Sequence, residues 1–194
     1  LSPIDIVVTD PDGLTISKQL SQIPGATYAE TDFNGDGDLD DIVLIPDRKI
    51  GDYKITLVPE AGAAPTDTYT LEVLLDSITT VLAKDVPISK IPYQPYLIKS
   101  TETEIKAVPI AKANGPYLGD EGTPVTFDAS SSYDPDDMIV LYEWDFNGDG
   151  IYETSSASTI ATFTWGDDFT GTITLRFTDD EGLTSIDTTE VKVG

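Results

Sequence analysis

The sequence predicts an all-β protein made of two tandem antiparallel β-sandwich domains. Apolar and polar residues alternate in short runs that Gly, Pro and Asp interrupt, which is the pattern of short strands joined by turns. Hydrophobic residues make up 39% of the 194 residues, enough to fill two cores. The polar, proline-containing segment 104–112 separates the halves, so we place the domains at 1–108 and 109–194.

Alternation in the first domain predicts two clear strands, joined by the loop 59–67. Their inward faces are Tyr53, Ile55 and Leu57, then Tyr69, Leu71 and Val73. The spacing of Ile16, Leu20 and Ile23 is compatible with a helical stripe, but the surrounding Ser, Thr and Pro-Gly favour a strand or loop at least as much. Segment 88–96 contains two prolines and predicts an edge strand or a strap across one end of the domain.

Alternation in the second domain runs through its aromatic residues. The inward faces are Val125 and Phe127; Val140, Tyr142, Trp144 and Phe146; Ala161, Phe163 and Trp165; Ile173, Leu175 and Phe177; and Val191 and Val193. Because Trp144 stands at the centre of an apolar run, we expect a buried core tryptophan there rather than a ring that stacks on a ligand. The same alternation places Trp165 in the core.

Composition excludes several classes of function. The 11 Lys and Arg against 35 Asp and Glu give a formal net charge of −24, which excludes a nucleic-acid binder and argues against docking on anionic lipid. Without His or Cys, the chain lacks thiol and imidazole catalysis and the usual zinc and haem ligands. No apolar stretch suits membrane insertion, and the start at Leu1 leads us to expect part of a longer polypeptide. Carboxylate chemistry remains, and hard cations prefer its oxygens.

Two segments, 113 positions apart, share the pattern D-F-N-G-D-G-x-x-[D/E]. Oxygens at positions 1, 3 and 5 converge on one point, Gly at position 6 permits a sharp turn, position 7 offers its carbonyl, and a later carboxylate closes the shell of a Ca²⁺ loop. The predicted ligands are Asp32, Asn34, Asp36, Asp38 and Asp40, and in the second copy Asp145, Asn147, Asp149, Ile151 and Glu153. Neither copy has the Glu at position 12 of an EF-hand, and closure at position 9 suits a loop between strands.

A hairpin turn without metal is the alternative, because Asn-Gly and Asp-Gly steps form tight turns by themselves. The repetition favours metal, and so does the repulsion expected among the crowded aspartates of the first copy. The second copy is less dense in charge and leaves metal and plain turn equally open.

Five segments of the second half stand in a recognisable order and spacing. They are ANGPY from Ala113, EGTPVTFD from Glu121, SSYDPD from Ser131, YEWDF from Tyr142 and FTDDEG from Phe177. Together they resemble a PKD domain, the polycystic-kidney-disease repeat, an Ig-like sandwich that serves as a non-catalytic module of surface proteins and secreted hydrolases. After the YEWDF segment the family commonly continues with Gly-Asp-Gly, and here Asn147 and Gly148 lengthen the turn.

The resemblance implies a further calcium site at which Asp134, Asp136 and Asp179 converge, with Asn114 as an additional candidate. The alternative for 134–136 is a loop held by Asx-turn hydrogen bonds. The first half resembles an unnamed β-sandwich module of secreted bacterial and archaeal proteins, and this resemblance implies no activity.

The leading hypothesis is a pair of calcium-binding, non-catalytic modules of an extracellular or cell-surface protein, acting as a spacer, adhesion or protein-interaction unit. The alternative is a carbohydrate-binding accessory region of a secreted glycoside hydrolase or peptidase. Its candidate sugar-stacking rings are Tyr93, Tyr96, Tyr117, Tyr133, Tyr152 and Trp165. An enzyme ranks third, because the best-spaced carboxylates are accounted for as ligands. A halophilic source would explain the acidity separately.

Overall fold

Short strands form the regular structure of the computed structural model, which describes residues 3–32, 35, 39–136 and 138–194. The described residues contain no α-helix, only a single 3₁₀ turn at Ile88–Lys90, and no helix long and apolar enough to cross a membrane. The predicted all-β fold class is confirmed. The chain divides into two compact units, Leu1–Ala107 and Val108–Gly194.

The first unit contains one large sheet and two hairpins. Its strands are β1 (Ile4–Thr9), β2 (Thr15–Ser17), β3 (Leu20–Ser21), β4 (Thr27–Thr31), β5 (Asp40–Leu44), β6 (Gly51–Pro59), β7 (Thr68–Leu75), β8 (Ile78–Pro87), β9 (Tyr96–Ser100) and β10 (Ile105–Val108), which ends one residue past the unit boundary. The six-stranded sheet has the order β10-β9-β6-β1-β2-β3, while β4 pairs with β5 and β7 with β8. Strand β6 alternates as predicted, burying Tyr53, Ile55 and Leu57.

Two segments of the first unit settle alternatives that the sequence left open. Ile16 is buried in β2, Leu20 is exposed in β3 and Ile23 is buried in the loop that follows, so strand and loop replace the helical stripe. The predicted edge strand over 88–96 does not form. Ile88–Lys90 is a 3₁₀ turn, the chain from Ile91 to Pro95 is irregular, and a strand begins only at Tyr96.

The second unit is a five-stranded sheet and a two-stranded sheet. Its strands are β11 (Tyr117–Gly119), β12 (Val125–Asp128), β13 (Ile139–Asp145), β14 (Thr154–Ser156), β15 (Ile160–Phe163), β16 (Phe169–Asp179) and β17 (Thr184–Val193). The larger sheet has the order β11-β17-β16-β13-β14, with β11 parallel to β17 and the other pairs antiparallel. Strands β12 and β15 form the smaller sheet.

An aromatic cluster fills the core of this unit. Phe127, Trp144, Phe146 and Phe177 are fully buried, and the ring of Phe127 lies 4.8 Å from that of Phe146 and 5.5 Å from that of Trp144. Trp165 is also buried and contacts the same rings, so both tryptophans lie in the core as predicted. Neither is an exposed sugar-stacking ring, and nor is the buried Tyr96.

Val140 corrects one predicted face. The alternation placed its side chain inward with Tyr142, but it is 43% exposed. The pairing of β13 with β16 shifts register between Ile139 and Leu141, and such a bulge turns the extra residue away from its expected side.

Candidate metal sites

The hairpin loop between β13 and β14 holds the second D-F-N-G-D-G copy. Asp145 is the last residue of β13, Trp144 pairs with the first residue of β14, and the Glu153 N–H donates to the Trp144 carbonyl at 2.8 Å. Gly148 and Gly150 have φ angles of 76° and 84°, a left-handed conformation that glycine adopts without steric cost. The strands and the two glycines together force the intervening chain into a tight loop.

Three carboxylates of this loop lie together. Each of Asp145, Asp149 and Glu153 places an oxygen within 4.8 Å of the other two. Asp145 is only 3% exposed, whereas the other two side chains lie at the surface. Three negative charges at this separation repel one another unless donors or a cation compensate them.

Backbone N–H groups of the loop converge on Asp145. Its Oδ1 accepts hydrogen bonds from the N–H groups of Asn147 (3.2 Å) and Gly148 (2.7 Å), and its Oδ2 accepts one from Gly150 (2.8 Å). The buried carboxylate therefore organises the loop around itself, and these bonds partly offset its charge.

The remaining predicted ligands join the same network. Glu153 accepts from the Phe146 N–H through Oε2 (2.7 Å) and from Asn147 Nδ2 through Oε1 (2.8 Å), while Asn147 Oδ1 accepts from the Asp149 N–H (2.8 Å). Ile151 donates its N–H to Asp149 Oδ1 (2.8 Å), and ligation through its carbonyl stays a prediction. The loop thus offers side-chain oxygens at a fixed spacing, the kind of donor that Ca²⁺ prefers.

A second acidic group lies where β16 ends. Asp179, 2% exposed, accepts hydrogen bonds from the Glu181 and Leu183 N–H groups through Oδ1 at 2.9 and 2.7 Å, which hold the β16–β17 turn. Asp134 Oδ1 accepts from the Asp136 N–H at 3.2 Å. Asp134 Oδ2 is buried and receives no hydrogen bond from the described residues.

The electrostatics of Asp134 follow from this environment. Burial raises the pKa of Asp134 to about 7, with further contributions from the adjacent Asp136 side chain and from the negative charges of Asp136 and Asp179. A cation at this point would compensate the buried oxygen, and so would a proton.

Both acidic groups lie in the second unit, and a comparison with known families finds a match there. Residues 106–193 match the family model of the PKD domain. The predicted resemblance of 109–194 is therefore confirmed, and the match supports a β-sandwich accessory module for this part of the chain. The first unit lies outside the match apart from its last two residues, and its resemblance stays a prediction.

Three solved structures are similar to parts of the chain. A structure reported for the promiscuous specificity of carbohydrate-binding modules of the β-sandwich superfamily is 32% identical, with a TM-score of 0.40, over 44% of this chain and 34% of that one. The PKD1 domain of the Vibrio cholerae metalloprotease PrtV is 28% identical (TM-score 0.35; 44% and 96% covered). The PKD1 domain of Vibrio anguillarum Epp is 27% identical (TM-score 0.35; 44% and 93% covered). The present chain thus spans about a third of the first of these.

Asn114, which the resemblance adds to the acidic group of Asp134 as a candidate ligand, makes its side-chain hydrogen bond to another part of the unit, and its ligation stays a prediction. Its Nδ2 donates to the Asp128 carbonyl at 2.6 Å, and the neighbouring Ala113 N–H donates to Asp187 at 2.8 Å. The contacts of Asn114 therefore fix the chain beside β12, and the groups that act on Asp134 are Asp136 and Asp179.

The first D-F-N-G-D-G copy falls in the sequence between β4 and β5, which pair with each other. Asn34, Asp36 and Asp38 lie outside the described residues. Asp32 Oδ1 accepts a hydrogen bond from the Gly35 N–H at 2.7 Å, and Asp40, the first residue of β5, pairs with Thr31. Metal ligation by this copy stays a prediction.

Sequence reasoning missed one acidic cluster. Glu121, Asp167 and Asp168 are exposed, and their carboxylate oxygens lie within 4.8 Å of one another. Glu121 follows β11 and the two aspartates precede β16, so only the tertiary fold brings them together. The adjacent Asp167-Asp168 pair was the sole local signal.

Proposed function

We propose that this chain is a pair of calcium-binding, non-catalytic β-sandwich modules of a larger extracellular or cell-surface protein, acting as a spacer or interaction unit. The observation that carries the proposal is the loop 145–153, in which three carboxylates lie within 4.8 Å on a scaffold of backbone hydrogen bonds. The PKD match supports the modular role.

Calcium fits the donor set better than other common metals. The donors are carboxylate and amide oxygens, and the chain has no His or Cys to serve zinc or copper. Mg²⁺ prefers a regular octahedron with retained water, while Ca²⁺ tolerates the irregular geometry that a loop with mixed ligands provides. Asp145, Asn147, Asp149 and Glu153 would hold the ion.

Binding would stabilise the PKD-like unit through the hairpin. Asp145 and Phe146 are consecutive, and Phe146 is part of the aromatic core, so an ion that fixes the loop also fixes this part of the core. An ion that binds only the folded state adds RT ln(1 + [Ca²⁺]/Kd) to the free energy of unfolding. Extracellular calcium modules work at Kd values of roughly 10⁻⁴ to 10⁻³ M, so they fill outside cells, which favours an exported location.

Asp134, Asp136 and Asp179 form the second proposed site. Its support is the buried Asp134 Oδ2, which lacks a donor among the described residues, and the raised pKa of the same carboxyl. Both features disappear if a cation binds there.

The test uses thermal unfolding followed by tryptophan fluorescence, with and without millimolar CaCl₂. Both tryptophans of the chain lie in the PKD-like core, so this signal reports on that unit and not on the first D-F-N-G-D-G loop. Calcium should raise the Tm of the wild type, and Asp149→Asn should lose most of the rise because it removes an exposed carboxylate of the loop. Asp52→Asn, the same charge change at an exposed position of β6 in the first unit, is the matched control and should keep the rise.

Calorimetric titration of the same proteins counts the ions. A wild-type Tm that does not respond to calcium, together with a flat titration, would refute the metal proposal. A rise that survives in Asp149→Asn but disappears in Asp134→Asn would move the principal site to the second acidic group.

A further inference from the structure

The outer face of the five-stranded sheet has an unusual composition. Along β16 the inward Ile173, Leu175 and Phe177 alternate with outward residues, and β17 and β13 continue the same face. We call this surface the threonine face. It comprises Thr170, Thr172, Thr174, Arg176 and Thr178 of β16, Thr184, Ile186, Thr188, Glu190 and Lys192 of β17, and Leu141 and Glu143 of β13.

Strand register arranges these residues in cross-strand pairs. Thr174 pairs with Thr188 and Thr178 with Thr184, while Arg176 pairs with Ile186. From Thr170 to Thr178 the row extends about 27 Å at roughly 3.4 Å per residue. The face is therefore a long strip of hydroxyl groups with a single cationic side chain near its centre.

The threonine face is neutral on a strongly acidic unit. Residues 109–194 carry 3 basic and 17 acidic residues, a net charge of 3 − 17 = −14. The face holds two of the three basic residues, Arg176 and Lys192, and only two acidic ones, Glu143 and Glu190. The side chains of the face therefore balance in charge, and the acidic loop 145–153 borders the face beside Thr174 and Arg176.

Arg176 is held in one orientation at the centre of the face. Its Nε donates to Glu143 Oε2 at 2.8 Å, and its guanidinium carbon lies 4.0 Å from the ring centroid of Tyr152. The ion pair and the cation–π contact together fix a planar group with further N–H donors.

We propose that the threonine face binds an extended neutral polysaccharide. Threonine hydroxyls both donate and accept, as sugar hydroxyls do, so a glycan chain can satisfy the polar groups that it covers. The fixed guanidinium of Arg176 and the carboxylate of Glu143 present a donor beside an acceptor, a match for adjacent hydroxyls of one sugar. Tyr152 acts as a positioning residue through Arg176.

Charge and polarity select this partner over others. The net charge of −14 on the unit would repel a polyanionic glycan or a nucleic acid, whereas a neutral polymer is not repelled. The buried centre of a protein–protein interface is apolar and aromatic, whereas this face is mostly threonine hydroxyls and has Ile186 and Leu141 as its apolar members. Burying those hydroxyls against an apolar partner would leave them without hydrogen bonds.

The experiment measures retention of the full 194-residue chain by insoluble cellulose, chitin and xylan. For each polymer that retains the chain, titration with the hexasaccharide of the same sugar then measures the Kd. Anionic polygalacturonate completes the panel. The test variants are Thr188→Glu and Arg176→Met, and Thr126→Glu, on the exposed side of β12 in the other sheet, is the matched control. Tryptophan fluorescence melts check that each variant folds, with Thr172→Glu as a second face variant.

At least one neutral polysaccharide should retain the wild type and Thr126→Glu, while the face variants bind about tenfold more weakly or worse, a loss of about 1.4 kcal/mol. Binding should persist in chelator, which separates it from the calcium proposal. The proposal is overturned if no neutral polymer retains the wild type, or if Thr126→Glu weakens binding as much as the face variants do. It is also overturned if the wild type sediments as a dimer that Thr188→Glu converts to monomer, because the face would then bind a second copy of the chain.

Discussion

The loop 145–153 and the group of Asp134, Asp136 and Asp179 are both acidic, yet Asp145 of the first and Asp134 of the second are held in opposite ways. In the loop, the buried Asp145 accepts three backbone hydrogen bonds, which involve both of its carboxylate oxygens. In the second group, Asp134 keeps a buried oxygen that no described donor reaches, and its pKa is raised. The number of acidic residues in a cluster therefore does not by itself show whether a cation is required, because backbone N–H donors can compensate the carboxylates instead.

This contrast separates two roles for calcium. Where the backbone already holds the carboxylates, an ion adds stability to a preformed loop. Where one carboxylate oxygen is buried without a donor, as in Asp134, an ion or a proton removes an existing cost. The two groups should respond differently to substitution and to pH.

The largest effect is expected from Asp145→Ala. The change leaves the N–H groups of Asn147, Gly148 and Gly150 without their acceptor beside a packed core, at a cost of about 3 kcal/mol in the free energy of unfolding. Urea unfolding followed by tryptophan fluorescence in chelator measures it. Asp145→Asn retains one acceptor oxygen and should lose about half as much. An unchanged midpoint for Asp145→Ala would mean that the loop does not depend on this carboxylate.

Asp134→Asn should act in the opposite direction. Without calcium at pH 8, removing a charge that the site disfavours is expected to stabilise the PKD-like unit by about 1 kcal/mol. Because the folded pKa of about 7 exceeds that of the unfolded chain, the folded state binds more protons between these values, and the contribution of Asp134 to stability falls as pH rises from about 4 to about 7.

Urea midpoints of wild type and Asp134→Asn across that pH range measure the effect. The difference between the two proteins should grow with pH and level off above pH 7. A difference that is constant with pH would show that Asp134 titrates normally, and the contrast between the two acidic groups would then fail.

The sequence allowed the loop to be predicted because its ligands are local. Asp145, Asp149 and Glu153 fall within nine residues, and a turn with two glycines brings them together without help from the rest of the fold. The same locality made the aromatic faces of β13 and β16 readable, since period-two alternation assigns the side of each residue.

Features that depend on tertiary pairing could not be predicted this way. The bulge that exposes Val140 arises from the register of β13 against β16, which leaves no mark in the residue pattern. Glu121 and Asp167 meet only because their two loops lie near each other in the fold. The hydrogen bond from Asn114 to the Asp128 carbonyl likewise required coordinates.

The smallest effect is expected from Gly150→Ala, which asks how far strain in the backbone of the loop matters. Gly150 has a φ of 84° with open space around a new Cβ, so the cost is the left-handed conformation alone, about 1 kcal/mol. Gly166→Ala, also in open space but without positive φ, is the matched control and should change the urea midpoint little. Equal midpoints for the two variants would mean that the loop relaxes, and the preformed geometry that distinguishes it from the Asp134 group would be lost.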